Sequence, residues 1–209
     1  MKLKQFLTFI LILMSAVSSL SWAADEAAAY QEGKQFKRIV PKVPTETGTQ
    51  AEVVELFWYG CSHCYTMETH INKWLKTKPA TVTFRRVPAI FSPKWEIHAR
   101  AYYAAEALGI LEKAHPVIFE TIHELKNKLE NEEDIKKLFT QFGVDEANFK
   151  KAFQSFAVEA KVNRAKELTR RYGIDSVPTL VVQGQYQTDN GLTGDPTKTM
   201  QVVQYLTTK

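Results

Sequence analysis

Ala51-Glu52-Val53-Val54-Glu55-Leu56-Phe57-Trp58-Tyr59-Gly60-Cys61-Ser62-His63-Cys64-Tyr65 is the stretch on which the fold turns. Residues 51–58 alternate little and are rich in Val, Leu and aromatics, which predicts a strand buried on both faces. Gly60 ends it. A helical apolar period then runs over 61–76 through Tyr65, Met67, Ile71, Trp74 and Leu75. A second strand follows at 81–87, closed by Pro88. Strand, helix, strand makes a βαβ unit, which requires a parallel pair joined by a right-handed crossover.

Cys61-Ser62-His63-Cys64 lies where the strand gives way to the helix. The first cysteine therefore falls at a helix N-terminus, where unpaired backbone N–H groups and the macrodipole favour an anion. A disulfide is attacked by a thiolate and not by a thiol, so this position prepares Cys61 for exchange. Cys64, one turn inside, is more shielded and is placed to resolve a mixed disulfide. His63 can add positive charge or a hydrogen bond beside Cys61, stabilising the reduced, ionised state and making the disulfide a stronger oxidant. The chain has 2 cysteines, and these are they. A bridge closing so short a loop restrains the unfolded chain little, so chemistry explains the pair better than stapling does. A zinc half-site is another reading, but no second C-x-x-C or closely spaced histidine pair completes it, and no metal is expected. The plain alternatives are a structural disulfide and a solvated His63.

Towards the N-terminus, Lys2 and Lys4, the apolar run 6–17 and the small residues of Ser21-Trp22-Ala23 read as a secretory signal cleaved after Ala23. An uncleaved anchor is the alternative, but the run is short for a span. Losing Lys2 and Lys4 with residues 1–23 takes the basic residues from 27 to 25 against 23 acidic ones, a net of +2. So nearly neutral a chain does not suit nucleic acid, and no such partner is expected. The 44% hydrophobic content suits a globular protein. Residues 36–40 form a possible edge strand before Pro41.

Past Pro93 the period is helical almost throughout, with helices expected at 95–108, 116–129, 132–142 and 146–156. Pro116 suits a first helical turn, Asn131 can cap a helix with Asp134 three residues on, and Gly109 and Gly143 stand where left-handed ends are wanted. A further helix is expected at 157–172, stopped by Gly173, then a strand at 180–182, a turn at Gly184 and a last helix at 196–206. The expected division is a signal peptide at 1–23, an α/β unit at 24–92 resumed at 157–209, and an inserted all-helical domain at 93–156.

Downstream, Tyr172-Gly173-Ile174 and Val177-Pro178-Thr179 enter an apolar strand. This resembles the segment that thioredoxin-fold proteins place against their C-x-x-C, with the proline bond in cis. Such a bond keeps the preceding residue, here Val177, from pairing within the sheet and can offer its backbone to an extended substrate peptide. An ordinary edge-strand proline is the alternative. With Glu55-Leu56-Phe57 before Gly60, then Cys61, His63, Cys64, Tyr65 and Glu68, the inserted helices, and Gly184 and Tyr186, the chain resembles the DsbA family over essentially its whole mature length.

The resemblance implies an α/β, thioredoxin-like fold with an inserted all-helical domain. It further implies a periplasmic dithiol oxidase in which Cys61 and Cys64 form a redox-active disulfide, with an acidic first cysteine and an oxidising couple. Its substrates are reduced, unfolded exported proteins, bound beside Val177 and Pro178, and its reoxidant is a membrane protein of the DsbB type. No cofactor is expected, and the protein is expected to be a monomer. The family's common motif has proline where this chain has Ser62, and the two intervening residues tune the couple.

A carboxylate on a buried strand is costly unless it is paired or transfers protons. The resemblance puts Glu55 beneath Cys64, where it can relay a proton to the resolving sulfur with Arg86 as partner; a half-exposed glutamate is the alternative. Glu68 reads as a solvated helix residue, and His70, His98, His115 and His123 as surface or core residues without function. Trp58, Tyr59 and Val177 are apolar candidates for an acceptor surface, with Trp58 leaning to the core. Three other functions use the same residues: a reductase or isomerase running the chemistry in reverse, a metal-binding module or copper carrier, and a peptide-binding chaperone with incidental cysteines.

Overall fold

The computed structural model describes residues 30–209, and the expected signal segment 1–23 lies outside them. The strand expected at 51–58 is β2 (Ala51–Phe57), with every residue after Ala51 buried. It is followed by α1 (Ser62–Leu75) and β3 (Val82–Pro88), and β2 and β3 pair in parallel with Glu55 opposite Arg86. A two-residue edge strand β1 (Lys37–Arg38) and the hairpin β4 (Thr179–Val182) and β5 (Tyr186–Asp189) complete a five-stranded sheet of order β1-β5-β4-β2-β3. All pairs except β2–β3 are antiparallel. β2 is thus central, with a neighbour on each side, and the cysteine pair stands at its C-terminal end.

Between β3 and β4 the chain is helical: α2 (Pro93–Ala107), α3 (Leu111–His123), α4 (Glu132–Thr140), α5 (Glu146–Phe153) and α6 (Phe156–Arg171). The short α7 (Asn190–Thr193) and α8 (Pro196–Leu206) close it. Asn131 caps α4 by accepting from Asp134 N at 2.9 Å, as expected from the spacing. Gly109 and Gly143 have positive φ, at 70° and 80°. Two expectations were displaced. The helix expected at 116–129 begins five residues earlier, at Leu111, and carries Pro116 in its interior. Proline there forgoes one backbone bond at about 3 kcal/mol, which burial of Ala114, Ile118 and Phe119 on the same helix offsets at roughly 1.5–3 kcal/mol for each large side chain. The helix expected at 146–156 stops at Phe153 because Ser155 caps α6 by accepting from Val158 N at 3.1 Å.

The core lies on both faces of β2. Val53 packs with Met67, Ile71, Val203 and Leu206 beneath α1 and α8. Val54 and Leu56 join Ala101, Ala104, Val162 and Leu168 of the helices in a second cluster. No helix among the described residues is long and apolar enough to cross a membrane.

The β4–β5 hairpin turns through Gln183 and Gly184, with φ of 53° and 63°, the left-handed pair that a tight turn of this hand demands. Val43 N donates to Gly184 O at 2.9 Å, so the backbone of the edge segment lies directly on the glycine. A Cβ at Gly184 would run into the Val43 carbonyl. The substitution Gly184→Ala is expected to cost roughly 2–4 kcal/mol in urea unfolding, from the left-handed φ and the overlap together; an unchanged midpoint would contradict this packing.

Candidate active site

Cys61 is the N-cap of α1, in extended conformation, with its N–H bonded to Trp58 O at 3.0 Å and its carbonyl accepting from Tyr65 N at 3.1 Å. No acidic residue stands in the first turn, so no carboxylate there opposes an anion at this end. Cys61 is half-buried, Cys64 is fully buried, and both are free thiols, the dithiol form. The Cys61 thiol is lowered to about 6, first by a hydrogen bond from the Cys64 thiol, which outweighs the opposing effect of burial. The backbone N–H groups of Cys64 and His63 and the charge of His63 add to it. Cys64 moves the other way: burial, then the hydrogen bond and negative charge of Cys61 and the charge of Glu55, push it well up. One sulfur is thus reachable and ionised, the other enclosed and protonated.

Cys61 Sγ lies 3.5 Å from the carbonyl oxygen of Val177, and the Val177–Pro178 bond is cis. The two sequence signals, 116 residues apart, meet at this contact. Val177 is half-buried and Pro178 buried. His63 is exposed on α1. Trp58, expected to lean to the core, is half-buried and stacks on Trp95 at 4.3 Å, which in turn meets the exposed Phe91 at 4.8 Å. Tyr59, weighed as surface, is fully buried.

Beneath the cysteines is a buried ionic cluster. Glu55 is 0% exposed, and neither of its oxygens makes a hydrogen bond among the described residues. Arg86 Nε stands 3.2 Å from Glu55 Oε2, while its fork is directed at Glu68, with Nε–Oε1 at 3.1 Å and Nη2–Oε2 at 2.9 Å. Burial, with repulsion from Glu68, raises Glu55 to about 8 against the pull of Arg86. Burial also pushes Glu68 up, but His115 and Arg86 outweigh it and hold that carboxyl below its ordinary value. Glu68 is therefore no solvated helix residue: its side chain is 12% exposed and is the anion of the cluster.

Two histidines read as functionless in sequence also reach this place. His115 Nδ1 is 2.8 Å from the Tyr59 hydroxyl, and its Nε2 is 3.3 Å from Glu68 Oε1, an approach whose alignment falls short of a hydrogen bond. His123 Nε2 is 2.8 Å from the Tyr59 carbonyl, and its ring stacks on Tyr65 at 5.0 Å. Their spacing of eight puts both on one face of α3, a signal present in the sequence; what that face meets was not. Among the described residues, no three His, Cys, Asp or Glu side chains converge to hold a metal.

The family model described as DSBA-like thioredoxin domain matches residues 52–204. The chain belongs to this family. Relatives named thiol:disulfide interchange protein DsbA include that of Pseudomonas syringae, 37% identical over 93% of this chain and 91% of that protein. That of Azotobacter vinelandii is 42% identical over 83% of this chain and 81% of its own length. The crystal structure of Pseudomonas aeruginosa DsbA superposes with a TM-score of 0.81 at 37% identity, covering 86% of this chain and 93% of that one. DsbA from Xylella fastidiosa gives 0.80 at 28% identity, covering 86% and 96%. The DsbA fold accounts for the α/β, thioredoxin-like architecture expected above.

Following thiolate absorbance against pH in the reduced protein should show one sulfur ionising near pH 6, absent in Cys61→Ala, with Cys64 silent over the same range. A single transition near the ordinary thiol value, about 8.5, would contradict the assignment.

Proposed function

We propose that this protein is an exported dithiol oxidase that donates its Cys61–Cys64 disulfide to reduced, unfolded proteins in the periplasm. The observation that supports this most is the division of the two sulfurs, one half-exposed and held ionised at a helix N-terminus, the other enclosed and protonated. A couple whose reduced form is stabilised in this way gives up its disulfide readily.

The exchange proceeds in two displacements. A substrate thiolate attacks Cys61 Sγ, forming the mixed disulfide and breaking the Cys61–Cys64 bond; Cys64 leaves with the electron pair and takes up a proton. A second substrate thiolate then attacks the substrate's own sulfur, the new substrate disulfide forms, and Cys61 departs as a thiolate. Two electrons pass from substrate to enzyme, and no cofactor is required. The Val177 backbone beside Cys61 and buried Pro178 supply the edge on which an extended substrate lies. His63 adds charge at Cys61. Glu55 holds its proton up to about pH 8 and gives it to Cys64. Turnover requires reoxidation, which by family analogy comes from a DsbB-type membrane protein, with the enzyme acting as a monomer.

Equilibration with glutathione tests the direction: a Cys61–Cys64 disulfide that glutathione readily reduces supports the oxidase, whereas a disulfide resistant to glutathione would turn the reading into a reductase. Cys61→Ala should abolish oxidative refolding of a reduced substrate, and Cys64→Ala should accumulate mixed disulfides. Replacing Glu55 by Gln removes the proton donor. Oxidation of substrate should slow about tenfold or more at neutral pH, and the decline that wild type shows as pH rises through about 8 should disappear. A variant that keeps both the rate and its decline would remove Glu55 from the mechanism.

A further inference from the structure

Glu55 and Glu68 share one guanidinium. Arg86 lies 3.2 Å from the first and is bidentate to the second at 3.1 and 2.9 Å. In a buried site a single positive charge balances a single negative one, so one of the two carboxyls keeps its proton. Arg86 by itself does not explain how completely the choice falls on Glu55, since it touches both.

The turn of the Arg86 fork towards Glu68 begins the asymmetry, and α3 adds to it. His115 Nε2 stands 3.3 Å from Glu68 Oε1, close enough to act on its charge though not aligned for a hydrogen bond, and among the described residues no histidine pairs with Glu55. On its other side the ring meets the Tyr59 hydroxyl at 2.8 Å. With a carboxylate at one nitrogen and a hydroxyl at the other, a neutral imidazole carries its proton towards the carboxylate and accepts the Tyr59 O–H at Nδ1. Burial lowers His115, which keeps the ring neutral and fixes this arrangement.

We infer that His115 is a positioning residue of the exchange reaction: its Nε2–H holds the negative charge on Glu68 and so leaves the proton on Glu55, beside Cys64. This rests on Glu55 as the proton carrier proposed above. The groups that act on Glu55 are Arg86 from β3, Glu68, Cys61 and Cys64 from α1, Tyr59 after β2 and Tyr102 from α2. Those on His115 are Glu68, Arg86, Tyr59 and Tyr102, with Glu112 from its own helix. Burial raises both tyrosines, so they stay neutral. Without His115 the charge spreads from Glu68 onto Glu55, where it opposes the departure of Cys64 as an anion.

The test is a residue-specific carboxyl NMR titration of the reduced protein in wild type, His115→Phe, His115→Gln and Glu68→Gln. Glu55 should titrate near pH 8 in wild type and about one pH unit or more lower in His115→Phe. His115→Gln, whose amide can donate to Glu68, should restore the wild-type midpoint. Glu68→Gln should lower Glu55 too, and adding His115→Phe to it should change nothing further. An unmoved Glu55 in folded His115→Phe, or an equal shift in the Glu68→Gln background, would overturn the inference. Should His115→Phe not fold, His115→Asn, too short to reach Glu68, takes its place with the same expected shift. Failure of the proton-carrier reading shows separately, as unaltered substrate oxidation in Glu55→Gln while the titration pattern stands.

Discussion

The chemistry of this protein depends on where negative charge is allowed to rest. Around the end of β2 and the start of α1 lie two sulfurs and two carboxyls, with Arg86 as the cation facing the carboxyls and His63 at the surface on the side of Cys61. Charge is tolerated at Cys61, where the first backbone N–H groups of α1 and the Cys64 thiol face it, and at Glu68, where Arg86 and His115 face it. It is excluded from Cys64 and Glu55, which are fully buried and lie near charges of their own sign. In the proposed mechanism this alternation sets the direction of exchange: the sulfur that can be attacked is also the better leaving group, and the enclosed sulfur lies near a carboxyl that holds its proton.

The sheet makes this possible by placing a charged residue on its central strand. β2 needs apolar residues on both faces, yet carries Glu52 and Glu55, both 0% exposed. Glu52 is answered by Arg85 at 3.0 Å and reads as a structural pair. Glu55 is answered only partly, since the fork of Arg86 is turned to Glu68. A buried carboxyl left without hydrogen bonds is expensive as an anion and cheap as an acid, which suits the proton-carrying role proposed for it. The helices contribute as well. α3 grips the residue two before Cys61 from both ends, its hydroxyl through His115 and its carbonyl through His123.

Much of this was legible in the sequence, and the limit was physical. The stretch at 51–58, rich in Val, Leu and aromatics, the glycine and the cysteine spacing state a buried strand feeding a helix, because those patterns record local burial and local backbone freedom. The meeting of Val177 with Cys61 was reachable through resemblance alone, since no local rule joins residues so far apart. Glu68 was misjudged because a carboxylate one turn into an amphipathic helix is ordinarily solvated; its burial depends on Arg86 of the neighbouring strand and on a histidine from α3. Pro116 was read as a helix start because a local preference was applied where the burial of Ala114, Ile118 and Phe119 prevails.

If a fixed preference for negative charge at Cys61 drives the enzyme, the reduced protein must be the more stable form. Cys61 is depressed in the folded dithiol, so its stabilising effect is present above the unfolded thiol value and is lost as pH falls through about 6. Urea unfolding of the oxidised and reduced proteins side by side, at neutral pH and again near pH 4, measures this directly. The reduced form is expected to be more stable than the oxidised at neutral pH, with the advantage gone in acid; a disulfide form as stable or more stable at neutral pH would rule out this preference.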